Sequence, residues 1–136
     1  MTKAFIPAAL LTLLAALAVP ATAHHSFAMF DMARTQSWQG KVKEVQWTNP
    51  HVWVELTVTE NGKAVDLSFE AAAIPVLKNA GWIKDSVKAG DAITIVGHPY
   101  KDGRPGGSID HVLLADGKKV GAGDAIPPPL VVPGVN

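Results

Sequence analysis

Polar and apolar residues alternate most strictly over residues 51–59 (HVWVELTVT). Val52, Val54, Leu56 and Val58 fall on one face, and His51, Trp53, Glu55 and Thr57 on the other. A period of two marks a half-buried strand. Asn61-Gly62 follows, the strongest short hairpin signal, and residues 64–70 (AVDLSFE) alternate again. Val65, Leu67 and Phe69 are expected inward; Asp66, Ser68 and Glu70 are expected on a solvated outer face. Upstream, residues 37–47 (SWQGKVKEVQW) read as a first strand with Gly40 at a bend or bulge. Thr48-Asn49-Pro50 is the turn out of it.

The period then changes. Ala71 to Ala80 reads as a short helix, with Pro75 in its first turn and Gly81 just beyond its end. Ala89-Gly90-Asp91 is a turn, and residues 92–98 (AITIVGH) are a fourth strand stopped by Pro99. Residues 101–107 form a loop, residues 108–115 (SIDHVLLA) a fifth strand, and Asp116 to Lys119 a final turn. Three meandering strands, a helix and two more strands is the order of the OB-fold, a small five-stranded Greek-key barrel. The expected class is therefore mainly β, with one helix between strands three and four. Val52, Val54, Leu56, Val65, Leu67, Phe69, Ile93 and Ile95 are its expected core.

The two ends of the chain read differently. A basic start, an apolar run from Ala4 to Val19 and the small residues Ala21-Thr22-Ala23 have the form of a secretory leader cut after Ala23. The run is shorter than the roughly 20 residues a membrane span needs, so no membrane association is expected after cleavage. Residues 24–36 form an arm, pinned by Phe27 and Phe30, residues 37–120 the barrel, and residues 121–136 a proline-rich tail. Twelve basic and 12 acidic side chains balance, which removes the electrostatic footprint of a general nucleic-acid binder. The absence of Cys excludes disulfides, thiol nucleophiles and thiolate metal sites.

Chemistry then concentrates on histidine. His51 opens the second strand and His98 closes the fourth, next to the two loops that frame an OB binding site. Cleavage after Ala23 makes His24 the first residue, followed by His25. An N-terminal His offers its α-amine and imidazole to one ion, and all-nitrogen sets suit Cu(II). The extended arm spans roughly 43 Å, enough to bring His24 to His51 and His98. The expected metal ligands are His24, His51 and His98, with copper the expected ion. His25, Trp53 and Glu55 form a further expected binding surface. His111 is the least favoured of the five histidines as a site residue.

The runs His24-His25-Ser26-Phe27 and Trp47-Thr48-Asn49-Pro50-His51 are similar to those of a family of small exported bacterial proteins. Gly97-His98-Pro99 with Asp102-Gly103 belongs to the same likeness. That family is a domain of unknown function, so the resemblance implies export and a small β domain but no reaction. Two readings stand. One is an exported binding protein for copper or another metal ion. The other is an OB-like module that binds a protein, glycan, oligonucleotide or small molecule through Trp53. An oxidase using an N-terminal copper ranks behind both, because the domain offers little platform for a substrate.

Overall fold

The alternating segments pair as a tight hairpin, Trp53–Glu60 (β2) against Lys63–Glu70 (β3), in unbroken register from Trp53 opposite Glu70 to Glu60 opposite Lys63. Asn61 at φ 50° and Gly62 at φ 76° supply the left-handed pair that such a two-residue turn requires. These strands belong to a computed structural model that describes residues 27–121. The expected leader, His24, His25 and the proline-rich tail beyond Gly121 lie outside the described residues. The remaining elements are Gln36–Gln46 (β1), Ile74–Asn79 (α1), Ala92–Pro99 (β4), Gly106–Leu114 (β5) and Lys119–Val120 (β6).

The sheet order β3-β2-β1-β4-β5-β6 is closed by a parallel pairing of β3 with β5. The result is a five-stranded mixed barrel in the OB order, with α1 between β3 and β4 as the sequence pattern implies. Val52, Val54, Leu56, Leu67, Phe69, Ile93 and Ile95 are buried, and Val65 is half-buried against them. Leu77 of α1, Trp82 and Val87 join the same core and plug one end of the barrel. Pro75 sits in the first turn of α1. At its other end the Gly81 amide donates to Lys78 and the Trp82 amide to Leu77, with Gly81 at φ 78°. This is the Schellman closure that glycine favours, and it turns Trp82 into the core.

Several local expectations need correction. Gly40 is not a bulge; a Cβ there would stand 2.4 Å from the Thr57 carbonyl oxygen, so glycine lets β1 and β2 approach. The register shift lies between Val42 and Glu44, which leaves Lys43 as the extra residue. It moves the inner face from Trp38 and Val42 to Val45 and Trp47. Gly106 and Gly107 belong to β5 rather than to a loop, and Lys119–Val120 forms a sixth strand after the turn. The helix is shorter than expected because the Ala71 amide donates to the Val52 carbonyl and the Val52 amide to the Ala72 carbonyl, which holds the segment before α1 extended. Phe30 is buried as expected of an anchor, but the Phe27 side chain is 51% exposed.

Candidate functional site

The closure of the barrel creates the site. Trp53 on β2 lies opposite Glu70, Glu70 pairs with Ser108 on β5, and Ser108 pairs with His98 on β4. Partners in register share a face, so these four side chains form one row across the outside of the barrel. Glu70, Ser108 and His98 are the three buried polar residues among those described, at 7, 7 and 9% exposure. Glu70 therefore departs from the solvated face expected of it, whereas its neighbour Asp66 stays exposed. The added strand β5 lies beside Glu70 and covers it.

His51 reaches this row through Glu70: its Nδ1 pairs with Glu70 Oε1. His98 is held from two sides. Its Nδ1 lies 2.8 Å from the Arg34 carbonyl oxygen, which can only accept, so Nδ1 donates. Its Nε2 faces Asp110 Oδ2 at 3.4 Å. Asp110 arrives there by a bulge: Val96 pairs with His111 and Gly97 with Ile109, leaving Asp110 as the extra residue of β5. Bulges commonly re-aim a side chain in this way.

His51 and His98 do not share a rim by loop direction. Along β1, the pair Gln36–Gly97 marks the row beside His98, and Gln46–Trp53 marks the row beside His51, at opposite ends of the strand. Around the other side, the stagger of β3 against β5 brings the two rows together. The two imidazoles thus stand at either end of the Glu70–Ser108–His98 row, each engaged through Nδ1. Among the described residues no three His, Asp or Glu side chains form a group able to hold a metal. His24 and His25 lie outside those residues.

The arm is fastened beside His98. Phe30 bridges to Tyr100, with ring centroids 4.9 Å apart, and the Asp31 amide donates to the Pro99 carbonyl. The Lys101 amide donates to Met29. Burial pushes the Tyr100 phenol above its ordinary value of 10.0, and the Arg104 guanidinium over its ring, 4.0 Å from the centroid, acts against that shift.

Trp53 is half-buried and borders a shallow cleft of about 110 Å³ with Gln46, Glu55 and Ser68. Glu55 is 3.3 Å from the Lys43 ammonium, which also meets Asp66 at 2.7 Å. His111 lies on β5 opposite Val96. Sequence reasoning missed Glu70, Ser108, Asp110 and Arg34. Glu70 alternates like any solvated residue, Asp110 acts through a bulge, and Arg34 contributes only a carbonyl, so none carries a sequence signal.

Fold and row together define a small OB-type barrel with a histidine–carboxylate belt on its outer face. The chain belongs to the DUF6152 family, a family of unknown function, which it matches over residues 11–109. No curated protein matches it.

Proposed function

We propose that this is an exported binding protein that holds one copper ion between its mature N-terminal His24 and the barrel histidines His51 and His98. The observation that carries the reading is that both barrel imidazoles are engaged through Nδ1, one by Glu70 and the other by the Arg34 carbonyl. A carboxylate or carbonyl on one ring nitrogen is the usual way a protein orients the other toward a metal. The set is the three histidines alone, since His51, His98 and Asp110 do not together form a group able to hold an ion. The described residues alone do not complete such a set, so His24 is required by the reading. Its α-amine and imidazole would supply two nitrogens, which favours Cu(II) over harder ions. Phe30, six residues on, is anchored at Tyr100, two residues from His98.

The test is a Cu(II) titration of protein exported with its own leader, followed by electron paramagnetic resonance. Intact mass first confirms a start at His24. The expected result is one tight site with nitrogen hyperfine structure. His98→Ala and His51→Ala should each weaken binding at least tenfold, and His111→Ala should leave it unchanged. One residue added before His24 should weaken binding by a similar factor, because it removes the amine chelate. Equal affinity for the extended and native N-termini defeats the reading. The alternative, ligand binding at Trp53, rests on the small cleft beside that ring and on no other observation.

A further inference from the structure

The barrel has a second mouth, at the end away from α1. Gln36 and Trp38 of β1, Val65 and Leu67 of β3 and Glu60 at the end of β2 all have the parity of the inner face. Near α1 that face is sealed by Leu77 and Trp82. Here it opens into a cleft of about 280 Å³. Trp38, Val65 and Leu67 form its floor, Tyr100 and Arg104 one wall, and Arg34 and Glu60 its remaining charges. Trp38 and Val65 are only half-buried, so apolar surface continuous with the core is left open at this mouth.

The charges there are unevenly matched. Arg104 is already engaged: it covers the Tyr100 ring at 4.0 Å, and its Nε lies 3.3 Å from Asp102. Among the described residues, the Arg34 guanidinium and the Glu60 carboxylate have neither an ion pair nor a hydrogen bond. The mouth thus presents one uncommitted cation, one uncommitted anion and an apolar floor that includes Trp38. Small-molecule sites combine these parts: apolar walls that bury the ligand's body and a few polar groups that orient it. The volume lies just below the roughly 300 Å³ at which ordinary ligand pockets begin, which limits the ligand to a small one.

We infer that this mouth binds a small zwitterion with an apolar or aromatic body, of the size and chemistry of a free aromatic α-amino acid. The carboxylate pairs with Arg34, the ammonium with Glu60, and the side chain lies on Trp38. The inference does not rest on the copper reading. Arg34 serves His98 through its backbone carbonyl, which a side-chain substitution retains.

Isotope-labelled full-length protein is titrated by nuclear magnetic resonance with L-phenylalanine, 3-phenylpropionate and phenethylamine. The readout is the Trp38 indole and the Gly103 and Gly106 amides. Phenylalanine should give saturable shifts at these signals with a Kd near or below about 1 mM, and each analogue should bind at least fivefold more weakly. Arg34→Gln should weaken phenylalanine and 3-phenylpropionate at least fivefold and leave phenethylamine unchanged. Glu60→Gln should weaken phenylalanine and phenethylamine and spare 3-phenylpropionate. Both substitutions lie on exposed side chains, and the amide spectrum verifies folding. The inference is overturned if phenylalanine gives no saturable shifts at these signals. It is equally overturned if both variants bind phenylalanine like the wild type, or if the shifts centre on Trp53.

Discussion

At the scale of single residues, two glycines and one ion pair show what the barrel tolerates. A Cβ on Gly97 would stand 1.8 Å from the Ser108 carbonyl oxygen, inside the β4–β5 pairing that positions His98. Backbone cannot yield there as a flexible side chain would. Gly97→Ala should therefore lower the Tm by about 10 °C or more, at the upper end of overpacking costs. Gly103 also has a positive φ, 77°, but a Cβ there meets nothing. Gly103→Ala should cost only about 1 kcal/mol, the conformational term alone. Calorimetry on the two variants separates contact from conformation. The Lys43 ammonium and the Thr57 hydroxyl, each 2.7 Å from the Asp66 carboxylate, hold that carboxyl below its ordinary 3.8. A lowered carboxyl stabilises the fold above its unfolded value, and the gain is lost as pH falls through the folded value. The Asp66 and Glu55 carboxylates in turn raise Lys43 above 10.5, so its share is lost only in strong alkali. In urea titrations Asp66→Asn should be slightly less stable than the wild type at pH 7. The gap should close below pH 3.8, the ordinary value.

Elements follow the same logic at longer range. Gly81 closes α1 at φ 78° and sends Trp82 into the core. Gly81→Ala should cost about 1 kcal/mol through backbone conformation. Leu77→Ala, which empties the plug that α1 forms, should cost about 2–5 kcal/mol. Denaturant midpoints at constant slope would show both. The elements that were legible in the sequence are those whose pattern is local. β2 and β3 alternate without interruption, Asn61-Gly62 can make only a tight turn, and Gly81 terminates a helix. What stayed hidden is set by partners. The extra residues Lys43 and Asp110 look like any strand residues until the opposing strand fixes the count. β6 is two residues long and exists because Val112 and Leu113 offer an unpaired edge. The candidate site divides the same way. His51 and His98 stand out by residue type and by their places at strand ends. Glu70 and Ser108 become significant only once β3 closes against β5, a pairing that no local pattern announces.

For the molecule as a whole, closure is the shortest pairing among the five barrel strands. β3 and β5 pair over three residues, Ser68 to Glu70 against Gly106 to Ser108, and the partners are distant in sequence. The β2–β3 hairpin pairs over eight positions across a two-residue turn. Local opening costs least where few bonds hold distant segments. Native-state hydrogen exchange should therefore show β3–β5 amides exchanging faster than those between Leu56 and Leu67. Equal protection would mean that the barrel opens only as one unit. The buried Ser108 hydroxyl has no partner in this seam. An unmet buried hydroxyl costs stability, so Ser108→Ala should be neutral or stabilising in thermal unfolding.

The hydrogen bond from His98 to the Arg34 carbonyl joins a strand of the barrel to the arm that precedes β1. Arm and imidazole therefore have a shared equilibrium. Anything that favours this orientation of the His98 ring also favours the docked arm, and by linkage the docked arm favours that ring orientation to the same degree. Loosening Phe30 from Tyr100, two residues beyond His98, should then act on the His98 ring itself. The arm works as a thermodynamic partner of the histidine, and its anchoring aromatic residues set how firmly that histidine is held.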